Sequence, residues 1–188
     1  MTNPTKIPGG NTLLDAQKVL ETVGITQNMK VGDFGCGGLG YFTLTAAKMV
    51  GRDGVVYAVD ILKSVLGGVA ERAKAENLDN VKTIWSNLEI YGATKIDNES
   101  LDIGLLINIL FQAKKDSDII KECLRLVKPG GKLLIVDWKQ TGAPLGPPPQ
   151  ERVSLEGIKQ IAQNLGLKEE QSFEAGPYHF GIIFVKQV

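Results

Sequence analysis

The side chains best suited to chemistry gather in one stretch of this 188-residue chain, Asp33-Phe34-Gly35-Cys36-Gly37-Gly38-Leu39-Gly40. Gly35, Gly37 and Gly40 satisfy G-x-G-x-x-G, where missing Cβ atoms permit a tight turn and let a ligand approach backbone N–H groups near a helix N-terminus. Asp60 ends the next apolar run, 20 positions after Gly40 (60 − 40), where a carboxylate can accept from both hydroxyls of a ribose. Together these features point to an adenosine-type ligand and leave a nicotinamide cofactor and S-adenosylmethionine both open. Asp33 separates them. It stands two residues before Gly35, and a buried anion there would repel a pyrophosphate but attract an ammonium and a sulfonium. The pattern favours S-adenosylmethionine.

The elements that must position these residues are legible from periodicity. Leu13, Ala16, Leu20 and Val23 recur at helical spacing before Gly24, which predicts a first helix from Leu13 to Val23. Strand-length apolar runs then alternate with helical patterns. They are Lys30 to Phe34 with a helix from Leu39 to Val50, Val55 to Asp60 with a helix from Leu62 to Glu76, and Val81 to Trp85. Leu101 to Ile107 follows with a helix over Asp116 to Val127, then Lys132 to Asp137 with a helix over Leu155 to Leu165. Such alternation implies crossover connections, hence a mostly parallel sheet with helices on both faces. Leu167 to Phe173 and Tyr178 to Val185, joined by Glu174-Ala175-Gly176-Pro177, predict a closing antiparallel hairpin. The expected fold is α/β, one doubly wound seven-stranded sheet with its last strand antiparallel. Gly67-Gly68 inside the second crossover helix is a local conflict that only close packing would explain.

In such a sheet ligands bind beyond the carboxyl ends of the parallel strands. That edge collects Asp33, Asp60, Asn87, Asn108 and Asp137-Trp138-Lys139. The Pro-rich segment Gly142 to Pro149, with Phe111 and Trp138, is placed to roof an acceptor pocket. An antiparallel last strand begins at the same edge, which puts Tyr178 and His179 at the pocket mouth on opposite faces. His179 is the single histidine, and an ordinary pKa near ~6.5 suits it to act as a general base. Phe111, Trp138 and Tyr178 are therefore the candidate substrate contacts and His179 the candidate catalytic residue.

Composition narrows the partners. The length suits one domain spanning 1–188, with 1–28 as an N-terminal helix and cap segment. Hydrophobic residues make up 43% and charged residues 22%, and 21 basic side chains balance 21 acidic ones, so no basic tract recommends a nucleic-acid partner. No stretch reads as a membrane span or a signal peptide, and cysteine is confined to Cys36 and Cys123, which suggests a cytoplasmic protein. Those two cysteines and one histidine cannot furnish a four-ligand zinc site, so no metal is expected.

From Met29 to Trp138 the chain resembles the class I S-adenosylmethionine-dependent methyltransferases, in particular the ubiquinone/menaquinone-biosynthesis branch. The likeness includes Val127-Lys128-Pro129-Gly130-Gly131-Lys132 before the fifth strand. The resemblance implies a Rossmann-like fold and S-adenosylmethionine as cofactor, and assigns roles. Asp33 lies near the methionine amino group, Gly35, Cys36 and Gly37 form the turn under the methionine moiety, and Tyr41 falls beside it. Asp60 takes the ribose, and Ile61 packs on the adenine. Asn87 accepts from the adenine amino group beside the Leu88 N–H, and Asn108 lies near the methionine end. Phe111-Gln112 stands where many relatives carry a histidine pair. Methyl transfer from a sulfonium is an in-line displacement that relies on positioning, and the expected acceptor is a small molecule.

Two other readings remain. Tyr91-Gly92-Ala93-Thr94-Lys95 has the Tyr-x-x-x-Lys spacing of short-chain NAD(P)-dependent dehydrogenases. That chemistry needs both side chains on a rigid helix, whereas this stretch contains glycine and reads as a loop. A non-catalytic S-adenosylmethionine-binding module would share the fold.

Overall fold

A computed structural model describes residues 13–140, 144 and 146–187. Residues 1–12 of the predicted N-terminal segment, and Thr141 to Ala143 with Leu145 in the Pro-rich stretch, lie outside them. Helix α1 spans Ala16–Val23, not Leu13 onward, because the Asp15 carboxylate accepts from Lys18 N at 3.1 Å and so caps the helix there. Gly24, at φ 90, ends it.

The chain continues as β1 (Lys30–Phe34), α2 (Tyr41–Val50), β2 (Val55–Asp60), α3 (Lys63–Ala75), β3 (Val81–Trp85), β4 (Leu101–Ile107), α4 (Asp116–Leu126), β5 (Val127–Trp138), α5 (Leu155–Asn164), β6 (Leu167–Gly176) and β7 (His179–Lys186). The seven strands form one sheet in the order β3-β2-β1-β4-β5-β7-β6. Strands β1 to β5 run parallel, and β7 lies antiparallel to both β5 and β6. Strand order reverses between β1 and β4, the point at which doubly wound sheets open a crevice.

Alternation divides the core into two layers. On one face Leu134, Val136 and Ile183 meet α1 and α2; on the other Leu133, Ile135, Ile182 and Phe184 meet α4 and α5. Gly32 and Gly104 pair across β1 and β4. A Cβ on Gly32 would lie 2.8 Å from the Phe34 ring, and one on Gly104 would lie 3.0 Å from it, so both glycines make room for that buried aromatic.

Two expectations change at element ends and one inside a helix. Strand β5 starts at Val127, not Lys132: Val127 pairs with Leu101 and Lys132 with Ile103, so the predicted Pro-Gly-Gly turn becomes a bulge inside the strand. The hairpin loop shrinks to Pro177-Tyr178, since β6 continues to Gly176. Gly67 faces open space, and a Cβ on Gly68 would make only ordinary contact at 3.5 Å with the Gly38 carbonyl, so close packing does not account for the pair.

Candidate functional site

A cavity of about 1010 Å³ opens at the carboxyl edge of the sheet, lined by the segments that follow β1, β2, β3 and β4 and by the end of β5. It includes Gly35, Cys36, Gly37, Tyr41, Asp60, Ile61, Asn87, Leu88, Asn108, Phe111 and Trp138, so eleven of the fourteen sequence candidates meet on one surface. Asp33 lies just beneath it, 3% exposed. Tyr178 and His179 do not line it.

The glycine turn is built differently from the expectation that its N–H groups would face a ligand. Gly35 N and Cys36 N donate to the Val59 carbonyl at 2.7 and 3.1 Å, and Gly37 N donates to the Asp60 carboxylate at 3.3 Å. The turn is therefore strapped to β2, and three of its N–H donors are already used. Gly35 holds φ 78, and a Cβ there would come within 2.1 Å of Ile109 Cδ1, so β1 and the segment after β4 can meet only over glycine. Positions 37 and 38 have nothing within 4 Å of where a Cβ would lie, which leaves an open shelf above the turn.

Asp60 is tethered on both oxygens, by Gly37 N and by Leu62 N at 2.9 Å. A carboxylate has about four acceptor sites, so it is oriented by the backbone and retains capacity for two hydroxyl donors. Ile61, 51% exposed, offers an apolar surface beside it. Asn87 Oδ1 accepts from Glu89 N at 3.0 Å, which closes a turn, and Leu88 follows directly. Asn108, at φ 57, redirects the chain where β4 ends. The Tyr41 hydroxyl donates to Leu14 O at 3.2 Å, which ties the cavity wall to the segment before α1.

Electrostatically this end is anionic. Burial pushes the Asp33 carboxyl up to about 6, against the hydrogen bond from Thr43 and with repulsion from Asp60 adding to the rise. Burial, then Asp33 and Asp60, raise the Cys36 thiol well above its ordinary value, so it lines the cavity as a neutral, small apolar group. Among the described residues, no Lys or Arg lines the part of the cavity formed by the segments after β1 and β2. Two carboxylates with no neutralising cation, spent N–H donors and an open shelf suit a ligand that carries positive charge beside an adenosine, and oppose a pyrophosphate. S-adenosylmethionine fits this donor set. Residues 91–95 form no helix, so the Tyr91 and Lys95 pair lacks the rigid support that the dehydrogenase reading requires.

The other end is walled by Ile109, Phe111, Ile119, Trp138 and Pro147. Asp137, fully buried, organises it: one oxygen accepts from Leu110 N at 3.0 Å and Phe111 N at 3.4 Å, the other from Trp138 N at 2.8 Å. A single carboxylate thus fixes the backbones of both aromatic walls. Of the Pro-rich segment, Gly146 and Pro147 reach the cavity. A Cβ on Gly146 would lie 2.7 Å from the Trp138 ring, and Arg152 holds the segment down by donating to Pro147 O at 2.9 Å and Lys139 O at 3.0 Å.

His179 needs correction. Topology does bring it to this edge, paired with Trp138, but it is fully buried and its ring packs tilted against the Trp138 ring, 4.2 Å between centroids. Burial first, then Lys139 and Arg152, lower its pKa to about 4. It supports an aromatic wall and does not face the cavity. Tyr178 is half-buried in the hairpin loop, outside the lining.

Sequence reasoning missed the clasps that hold the walls. Glu89 lines the cavity and accepts from Lys114 N at 2.9 Å, which joins the segment after β3 to the one after β4. Behind it, buried Glu122 accepts from Gly92 N, Thr94 N and Arg125. Burial alone would raise this carboxyl, but Arg125 and the two N–H groups bring it down to about 2. The only available signal was Glu122 on the apolar face of α4, among Ile119, Ile120, Cys123 and Leu126.

Comparison with known proteins agrees with the geometry. A family model described as a methyltransferase domain matches residues 25–150. The chain is 33% identical over 125 residues to a ubiquinone/menaquinone biosynthesis C-methyltransferase of Shewanella sediminis, covering 64% of this chain and 47% of that protein. It is 30% identical over 107 residues to a demethylmenaquinone methyltransferase of Bacillus mycoides, covering 56% and 43% respectively. The matched regions thus amount to about half the length of these curated relatives or a little less. A SAM-dependent methyltransferase of known structure from Aquifex aeolicus superposes with a TM-score of 0.85 at 28% identity, covering 98% of both chains.

Proposed function

The chain belongs to the class I S-adenosylmethionine-dependent methyltransferases, and from that premise we propose that it methylates a small-molecule acceptor bound in the same cavity. The observation that carries this reading is one cavity lined both by Asp60 and the glycine shelf and by Ile109, Phe111, Ile119 and Pro147. When bound, the cofactor supplies an electrophilic methyl group on a sulfonium.

The chain's own residues bind, orient and exclude water. Asp60 would receive the ribose, Ile61 would pack on the adenine with Asn87 and the Leu88 N–H beside it, and Asp33 would supply negative charge under the amino-acid end, with Tyr41 and Asn108 beside it. Phe111, half-buried and held by Asp137 beside the buried Trp138, would contact a flat acceptor at the cavity's apolar end, so that positioning supplies most of the rate. The relatives' names, which refer to demethylmenaquinone and to ubiquinone/menaquinone biosynthesis, support an acceptor with a quinone-like ring. With His179 behind Trp138, the acceptor is one whose nucleophilic atom needs no histidine base.

The test is transfer of isotopically labelled methyl from S-adenosylmethionine to a panel of quinols, phenols, thiols and amines, read by mass spectrometry of the products. Labelled product from a flat aromatic acceptor, abolished by S-adenosylhomocysteine, is expected. Cofactor binding without transfer to any member of the panel would favour a binding module.

A further inference from the structure

Asp33 is a buried carboxylate with no ion-pair partner among the described residues. Its hydrogen-bonded support is Thr43 of α2, itself fully buried, whose hydroxyl donates to it at 2.5 Å and makes the larger contribution, with the Thr43 backbone N–H, which a substitution leaves in place, making the smaller. That choice of partner differs from that of the other helical threonines among the described residues. The hydroxyls of Thr22 and Thr45 both donate to the carbonyl four residues back in their own helix, Lys18 O and Tyr41 O, each at 2.8 Å. Thr43 instead reaches out of its helix to the end of β1. The titratable groups that bear on Asp33 are Asp60 and Cys36; both are anionic or neutral, so neither offsets its charge.

We propose that Thr43 is a positioning residue for the cofactor's amino-acid end, its hydroxyl holding the Asp33 carboxylate anionic and in one orientation beneath the shelf as the counter-charge for an ammonium. The inference rests on the reading of the cavity as an S-adenosylmethionine site. A hydroxyl that donates to a carboxylate stabilises the charged form, and burial acts against that form here. Without the hydroxyl, Asp33 should take up a proton at higher pH and lose its attraction for a cation.

The experiment is calorimetric titration of the wild type, Thr43→Val, Thr43→Ala and Thr43→Ser with S-adenosylhomocysteine and with 5′-methylthioadenosine, which lacks the amino-acid moiety. Each is run at about pH 6.5 and about pH 8.5, either side of the range a raised carboxyl would cross. Both variants without the hydroxyl should bind S-adenosylhomocysteine about tenfold more weakly at the lower pH, with a smaller loss at the higher. Thr43→Ser should recover to within about threefold, and 5′-methylthioadenosine should bind all four proteins alike. Equal weakening for both ligands would mean that Thr43 only supports the fold, and unchanged S-adenosylhomocysteine affinity would mean that it has no role; either overturns the inference. Wild-type protein that binds 5′-methylthioadenosine but not S-adenosylhomocysteine overturns it as well. Wild-type protein that binds neither ligand removes the cofactor reading itself, and the inference with it.

Discussion

Asp137→Asn should change how stability depends on pH. Burial pushes the Asp137 carboxyl from its ordinary 3.8 up to about 7, even though three backbone N–H groups favour its charged form. Between those values the folded protein keeps a proton that the unfolded chain has released, so the associated stability is complete below about pH 4 and is lost as pH rises through about 7. At about 1.36 kcal/mol per pH unit the whole span is worth about 4 kcal/mol, of which about 3 falls between pH 5 and pH 8. An asparagine at this position does not titrate. It also turns an amide donor toward one of the three N–H groups, which costs about 1–3 kcal/mol at every pH. Urea unfolding of both proteins at several pH values isolates the effect, because Asp33, Glu122 and His179 are common to the two and cancel in the difference. The wild type should lose about 3 kcal/mol relative to the variant between pH 5 and pH 8. A difference that stays constant within about 0.5 kcal/mol would refute the reasoning, since the carboxyl would then titrate as an ordinary one.

Gly35→Ala should destabilise the protein by about 2 kcal/mol or more in the same unfolding assay, because φ 78 is strained for alanine and the new Cβ would meet Ile109 Cδ1 at 2.1 Å; a loss under about 0.5 kcal/mol would mean that β1 and the segment after β4 are not locked together at this point. His179→Gln should leave methyl transfer within about threefold of the parent once an acceptor is known, because the ring lies behind Trp138. A fall of about 100-fold with cofactor affinity preserved would restore it as a general base.

The strands were legible because largely apolar runs such as Leu101 to Ile107, interrupted only by Asp102, belong to a parallel sheet covered on both faces. The ends were less so. Asp15 moved the start of α1 through a cap only three residues long, and Lys128 to Gly131 bulged within a strand because pairing partners on β4 are invisible in the chain itself. In the site, Asp33, Asp60 and the glycines could be read because their types and spacing are local. That Gly35 and Cys36 spend their N–H groups on Val59, and that His179 turns behind Trp138, depends on contacts between distant segments. Topology alone gave His179 the right edge but the wrong surroundings. Glu89, Thr43 and Glu122 act through hydrogen bonds to other segments of the chain, which leave no periodic mark.

Cofactor choice is the central claim, and calorimetric titration with S-adenosylmethionine, S-adenosylhomocysteine, NAD and NADPH tests it most directly. The two carboxylates without a cation and the strapped glycine turn predict saturable binding of both adenosyl sulfur compounds, weakened at least about tenfold by Asp60→Ala through loss of charge-assisted ribose contacts, and no heat of binding from either nicotinamide nucleotide. Tight binding of NAD or NADPH with no response to S-adenosylhomocysteine would contradict the account.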